Sequence, residues 1–164
     1  MPASGTEHRM KTDDDQDRAA ANELLNTAME YARRVLKRYG EIGPFAFSMD
    51  DAGSVSRETL DLPRLPSDAE SLWKLLHDHV SERARRSEIQ AVAVAAIVTL
   101  AQASPEGYSD GVVFHIERRG GYAVKVIVPY AIYGGLLWNL LPRRVVNGKI
   151  NVREIPATIF TASP

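Results

Sequence analysis

Cysteine is absent from the 164 residues of this chain. Disulfide bonds, zinc–thiolate sites, iron–sulfur clusters and cysteine nucleophiles are therefore excluded from its chemistry. The absence of cysteine also agrees with a reducing compartment, so we expect a cytoplasmic protein. Residues 1–17 are polar and lack the apolar core of a signal peptide, which favours the same location.

An excess of one charge and a long apolar run are also missing. The chain carries 20 Lys and Arg residues against 21 Asp and Glu residues. Nucleic-acid-binding domains usually have a basic excess, so a nucleic-acid partner is not expected. The basic pairs Arg118-Arg119 and Arg143-Arg144 lie near aromatic residues in the sequence and leave single-stranded nucleic acid as an alternative. No run of about 18 apolar residues occurs, so no segment is predicted to span a membrane.

Hydrophobic residues make up 45% of the chain, which is typical of a globular protein. The length predicts one domain. Residues 1–16 have almost no side chain to bury and are predicted to be a disordered lead-in. Residues 17–130 form the predicted α+β domain, and residues 131–164 a C-terminal extension that packs on this domain or on a partner.

Two amphipathic helices are predicted. The first spans about residues 18–39, because apolar residues recur at three- and four-residue steps and Gly40 can end the helix. Its apolar stripe consists of Ala21, Leu24, Ala28, Tyr31, Val35 and Tyr39. The second helix follows Ser67-Asp68-Ala69-Glu70, which matches a capping box with Ser67 as the N-cap.

The next segments predict β-strands. Residues 41–49 and 54–57 flank an Asp- and Gly-containing turn and are predicted to be two strands. Residues 89–100 are apolar at nearly every position, which is compatible with a buried helix or a buried strand. Their β-branched residues favour a strand.

A β-hairpin is predicted for residues 112–118 and 122–128. A three-residue loop at residues 119–121 places the apolar residues of both strands on one face, whereas a two-residue loop would separate them. The predicted opposing pairs are Val112 with Val128, Phe114 with Val126, and Ile116 with Val124.

The C-terminal extension adds a second hairpin signal. Asn147-Gly148 between Val145-Val146 and Lys149-Ile150 predicts a two-residue turn, and residues 155–160 could dock on the domain. The element order is α-β-β-α-β-β-β, followed by this hairpin and tail. Because hairpins dominate, we predict an α+β fold with a mainly antiparallel sheet of about five strands and the helices on one face.

The region between residues 20 and 130 contains a series of short motifs. They are Gly40-Glu41-x-x-Pro44-Phe45, Asp50-Asp51-Ala52-Gly53, Ile89-Gln90-Ala91-Val92-Ala93, Ser109-Asp110-Gly111-Val112, Gly120-Gly121-Tyr122-Ala123-Val124 and Pro129-Tyr130. This series resembles a pattern in small bacterial α+β proteins of unknown function, which implies a fold and no site residues. The element order is also similar to roadblock, longin and profilin-type modules, which often dimerise or act as scaffolds, an analogy of topology alone.

Histidine is scarce, with four residues in the chain. His77 and His79 are two apart on one predicted helix and point in different directions, so they cannot chelate one ion together. His115 and Glu117 are two apart on a predicted strand and share a face, which makes them a weak catalytic candidate pair. The alternative, which we favour, is a solvated strand face of alternating polar residues.

Familiar catalytic motifs are absent. The sequence has no nucleophile elbow, phosphate-binding loop, dinucleotide fingerprint or zinc-protease motif. The acidic run Asp13-Asp14-Asp15 is interpreted as a solvated segment that offsets a helix dipole, so neither a metal site nor a cofactor is predicted. These observations favour a non-catalytic protein.

The apolar stretch at residues 132–141, which follows the predicted sheet, is the strongest indication of function in the sequence. It either closes the sheet of its own domain or contacts another chain. Its predicted interface residues are Ile132, Tyr133, Leu136, Leu137, Trp138, Leu140 and Leu141. The leading hypothesis is a small intracellular module that binds protein and self-associates as a homodimer, with a toxin-neutralising protein as a special case. The alternative is a small-molecule enzyme or ligand-binding protein that uses the polar sheet face around His115 and Glu117.

Overall fold

The computed structural model describes residues 4–135 and 141–161, with side chains from residue 13 onward. Its elements, in chain order, are α1 (Ser4–Tyr39), β1 (Phe45–Met49), β2 (Val55–Arg57), α2 (Ala69–Arg85), β3 (Ala91–Thr99), β4 (Asp110–Arg118), β5 (Ala123–Tyr133), β6 (Arg144–Asn147) and β7 (Asn151–Glu154). The strands form one sheet in the order β2-β1-β3-β4-β5-β6, and β7 also pairs with β5. All of these pairs are antiparallel, so the predicted α+β class is confirmed.

Helix α1 begins at Ser4, so residues 4–16 of the lead-in that was predicted to be disordered over residues 1–16 are helical. Once a packed segment has formed the helix, each further residue gains a hydrogen bond, so extension toward the N-terminus costs little. Arg18 and Asp14, with side-chain N and O atoms 3.0 Å apart, form an ion pair one turn apart that supports the extension. The residues that α1 buries against the sheet are Ala21, Leu24, Ala28, Ala32 and Leu36.

Helix α2 starts one residue later than the predicted capping box implies. The N-cap is Asp68, whose carboxylate accepts a 2.7 Å hydrogen bond from the backbone N–H of Ser71. An aspartate in extended conformation satisfies a free N–H of the first turn as well as a serine does. The prediction of Ser67 as the N-cap is therefore wrong by one position.

The two helices pack on opposite faces of the sheet, which corrects the prediction that they share one face. Helix α1 contacts Phe45, Phe47 and Phe114, whereas Leu76 and Val80 of α2 join a second cluster with alternate strand residues such as Val92 and Val94. Strand β3 explains this arrangement, since its first five residues are all buried and successive side chains point to opposite faces. A strand that is apolar on both faces requires a cover on each.

The β4–β5 hairpin has the predicted register. Val112 pairs with Val128, Phe114 with Val126 and Ile116 with Val124. The backbone N–H of Arg118 donates to the carbonyl of Tyr122 at 2.8 Å, which closes the three-residue loop. The alternation of apolar residues together with loop length was sufficient to predict this pairing.

Asn147-Gly148 does not form the predicted hairpin turn. Strands β6 and β7 both pair with β5, Asn147 with Tyr130 and Asn151 with Ile127. Three residues, 148–150, therefore lie opposite two residues of β5, so β6 and β7 form one edge of the sheet interrupted by a bulge. The N–H of Gly148 donates to the Pro129 carbonyl, which keeps the chain running along β5.

The segment that follows β7 returns to the α2 side of the sheet. Ile159 is buried in the same cluster as Leu76 and Val80, and Phe160 packs against it. Residues 155–160 thus dock on the domain, as the sequence suggested. In the described part of the chain, neither helix combines the length and apolar character needed to cross a membrane.

Candidate functional site

His115 and Glu117 lie on the same face of β4, as their spacing predicts. The Nε2 atom of His115 is 2.7 Å from the Oε1 atom of Glu117, although the approach lacks hydrogen-bond geometry. Their surroundings differ from the favoured expectation of a solvated face. Glu117 is fully buried and His115 is largely buried, because the C-terminal segment covers this part of the sheet.

The carboxylate of Glu117 accepts hydrogen bonds from three consecutive backbone N–H groups. Oε1 accepts from Thr158 at 2.7 Å, and Oε2 accepts from Ile159 at 2.8 Å and Phe160 at 3.0 Å. The Thr158 hydroxyl also donates to Oε1. Burial by itself raises the pKa of Glu117, but His115 and the three N–H groups outweigh it and hold the pKa at about 2.

These contacts assign Glu117 a structural role. Both carboxylate oxygens are occupied by donors of the protein itself, so no free acceptor faces a ligand. His77 of α2 adds a contact to the same segment, with Nε2 3.1 Å from the Thr158 hydroxyl oxygen. The arrangement fastens the C-terminal segment to β4 and α2.

A second buried carboxylate, Glu58, was not predicted from the sequence. It follows β2 and accepts from Ser48 of β1 and Arg83 of α2, and its other oxygen lies 2.8 Å from His79 Nε2. Burial by itself lowers the pKa of Arg83, but contacts with Glu88 and Glu58 raise it above the ordinary value. The cluster therefore joins α2 to the β1–β2 side of the sheet through paired charges.

The order of groups around Glu58 does not match a nucleophile–base arrangement. A serine nucleophile needs a histidine as its hydrogen-bond partner, with the carboxylate behind the histidine. Here the carboxylate of Glu58 lies between Ser48 and His79 and contacts both, so it takes the place that each would need to occupy as the other's hydrogen-bond partner. Two sequence features indicate part of this cluster: Ser48 interrupts an apolar strand, and His79 and Arg83 share a helix face. No local sequence feature indicates Glu58 as their partner.

An adjacent cavity of about 380 Å³ lies between α1, α2 and residues 57–65. Its walls are mainly apolar, with Tyr31, Phe45 and Leu72 among them, and Glu58 also borders it. The Glu58 oxygens are already bonded to Ser48, Arg83 and His79, so they are not free to bind a ligand there.

The predicted interface residues divide into three groups. Ile132 is half-buried and packs against the α1-side core next to Val145. Tyr133 and Leu141 are exposed, at 54% and 49% of their surface. Those outside the described residues are Leu136, Leu137, Trp138 and Leu140.

Exposed Tyr39, Tyr133 and Leu141 belong to the end of α1, the end of β5 and the segment after β5, and these three residues are called the terminal patch below. Tyr133 follows Ile132, which packs on the α1 side, so Tyr133 lies on the other face of β5. The side chain of Arg143 connects their surroundings, since it donates to the Arg38 carbonyl at 2.9 Å and lies against Gly135. The N–H of Gly135 in turn donates to the Leu141 carbonyl. Arg143 thus brings the end of α1 close to the segment that follows β5.

Comparison with protein-family models, with curated proteins and with solved structures finds no match for this chain. The resemblance to small bacterial proteins therefore stays a prediction. Among the described residues, no group of three or more His, Asp and Glu side chains is placed to hold a metal ion.

Proposed function

We propose that this chain is a non-catalytic protein-binding module that self-associates through the terminal patch. The observation that carries the proposal is the exposure of three large side chains, Tyr39, Tyr133 and Leu141. Tyrosine is enriched in protein interfaces because its ring buries a large area while its hydroxyl stays hydrogen-bonded. Large exposed side chains of this kind are removed from water when a second copy covers them.

The edges of the sheet are less suited to self-association. Strand β7 has four exposed residues, including Arg153 and Glu154, and the bulge at residues 148–150 interrupts the edge. At the other edge, β2 has three residues. Short strands, charges and bulges are the features by which proteins avoid strand addition.

A non-catalytic role is supported by the state of the buried acids. Glu117 and Glu58 are both engaged with protein donors, and each connects separate parts of the fold. A general base needs a free oxygen within hydrogen-bond reach of a substrate proton. These two carboxylates have none, so the candidate pair His115 and Glu117 is better explained by folding than by catalysis.

The dimer is expected to be weak. A stable interface buries about 800 Å² on each partner, which is more than three side chains provide. Self-association should therefore depend on concentration in the micromolar range and should be measured by sedimentation velocity over a dilution series.

The test compares two double variants with the same change in charge. Tyr133→Glu with Leu141→Glu places two carboxylates in the terminal patch and should give a monomer at every concentration. Leu62→Glu with Leu65→Glu alters two residues that are also exposed but lie in the loop after β2, and it should dimerise like the wild type. A wild-type protein that is monomeric throughout, or a control that dissociates equally, would refute the proposal.

A further inference from the structure

Neither α2 nor the C-terminal segment covers a groove on the α2 side of the sheet. Helix α2 packs on β1 and β3, and the C-terminal segment is fixed at Glu117. Further along the strands, the row Ala96, Val113, Ile127 and Asn151 crosses β3, β4, β5 and β7 on this face. The groove lies over Ile127 and has a volume of about 350 Å³.

Five of the nine residues that line this Ile127 groove are apolar, and the other four are Gln102, Ser104, Lys149 and Asn151. One wall is the loop after β3, with Leu100 and Pro105, and the other is the bulge between β6 and β7, with Ile150. Pro129 lies beside Ile127 in the lining. Ile127 is partly exposed and Ile150 is exposed, so an incoming apolar side chain would bury surface from both.

Two cations lie directly opposite each other next to the groove. Lys125 pairs with Arg153 across β5 and β7, one row from Ile127 on the same face, and both are exposed. Like charges in directly opposed positions destabilise a sheet. In the part of the chain that the structure describes, neither cation has a carboxylate oxygen within 4.0 Å, so no ion pair among these residues offsets the repulsion.

The bulge side of the groove carries one further cation, Lys149, and one carboxylate, Glu106. Lys149 is exposed at the bulge, and its backbone N–H donates to Glu106 at 2.9 Å. Hydrogen bonds from Ser104 and the backbone lower the pKa of Glu106, and the Lys149 charge contributes to that shift. Around the groove, the three cations Lys125, Arg153 and Lys149 therefore outnumber the one carboxylate of Glu106.

We propose that the Ile127 groove binds an acidic segment of a partner protein. An aliphatic side chain of the segment fills the groove over Ile127, and carboxylates beside it contact Lys125 and Arg153. Local arrangements that oppose stability are concentrated at functional sites, and an anionic partner turns this cross-strand repulsion into attraction. This site is separate from the terminal patch and does not depend on self-association.

Charge and lining together select this partner over two others. A second copy placed face to face on the groove would oppose Lys125 and Arg153 with the same two cations. Single-stranded nucleic acid needs aromatic faces for its bases to stack on, whereas this lining contains none. An acidic protein segment meets both the positive charge and the aliphatic walls.

The test measures binding of a fluorescent peptide in which Glu alternates with Leu, by anisotropy at low ionic strength. The full chain should bind this peptide, should not bind the same peptide with Lys in place of Glu, and should lose affinity as salt is added. Lys125→Glu with Arg153→Glu should weaken binding by about tenfold or more. The matched control, Arg33→Glu with Lys37→Glu, reverses two exposed charges on α1 and should bind like the wild type.

Three results would overturn the proposal. They are no binding by the wild type, equal weakening by the control variant, and tighter binding of an oligothymidylate than of the acidic peptide. Circular dichroism of both variants establishes that a loss of binding is not a loss of fold. The monomeric variant Tyr133→Glu with Leu141→Glu should retain peptide binding, which separates this proposal from the one on self-association.

Discussion

Replacing Glu117 with glutamine removes the charge that holds the C-terminal segment on the sheet. In either orientation, the new amide NH₂ faces at least one backbone N–H donor, because Oε1 accepts from Thr158 and Oε2 accepts from Ile159 and Phe160. A buried donor facing another donor loses its hydrogen bond and stays desolvated. Glu117→Gln should therefore destabilise the fold at neutral pH.

The size of the effect follows from the pKa. Lowering the pKa of Glu117 from 4.5 to about 2 corresponds to a contribution of about 3 kcal/mol to the free energy of unfolding. Because the folded-state pKa is lowered, this contribution is complete above the unfolded pKa and is lost as the pH falls toward the folded one. By about pH 3, roughly 2 kcal/mol of this contribution to the free energy of unfolding should be lost.

Urea unfolding followed by circular dichroism between about pH 7 and pH 3 measures this contribution. The difference between wild type and Glu117→Gln should be about 3 kcal/mol at pH 7 and should narrow steadily below about pH 4.5. Glu23→Gln, an exposed position on α1, serves as the control and should follow the wild type. A Glu117→Gln curve that stays parallel to the wild type at every pH would refute the assigned role of this carboxylate.

Two other substitutions test the sheet. Phe114→Ala should lower the free energy of unfolding by about 3–5 kcal/mol, because it leaves a core cavity. His115→Ala should lower it by about 1–3 kcal/mol, because His115 is largely buried beside Glu117. A loss under about 0.5 kcal/mol for His115→Ala would indicate a solvated face instead. Arg153→Glu should raise the unfolding free energy by roughly 0.2–1 kcal/mol, because it converts the repulsive pair with Lys125 into an attractive one. Thermal unfolding at low and high salt checks this, and a gain that does not shrink with salt would contradict the electrostatic explanation.

Predictions from the sequence succeeded where the deciding interactions are local. The β4–β5 register depended on the alternation of residues 112–116 and 124–128 and on the length of one loop. The assignment of β3 depended on the β-branched residues of an apolar run. Both can be read within a short window, because side-chain direction in a strand repeats every two residues.

Predictions failed where contacts between residues distant in the sequence outweighed a local sequence signal. Asn147-Gly148 is a strong turn sequence, yet the edge of β5 offered hydrogen bonds to both flanking strands, so the chain continued as a bulge. The placement of the helices failed for a related reason. The two-sided burial of β3 was visible in its composition, but which helix covers which face is decided by connections between distant elements.

By itself, then, the sequence determined the α+β class, the central hairpin and its register, and the exclusion of thiol chemistry. Only the tertiary structure decided that Glu117 binds backbone N–H groups 41, 42 and 43 residues away, that Glu58 joins Ser48 to α2, and that Lys125 lies opposite Arg153. The physical reason is that backbone N–H groups look alike at every position and a charge has no partner until the chain is folded. Strand periodicity and turn chemistry act over a few residues, whereas these contacts exist only after the sheet has brought its strands and the C-terminal segment together.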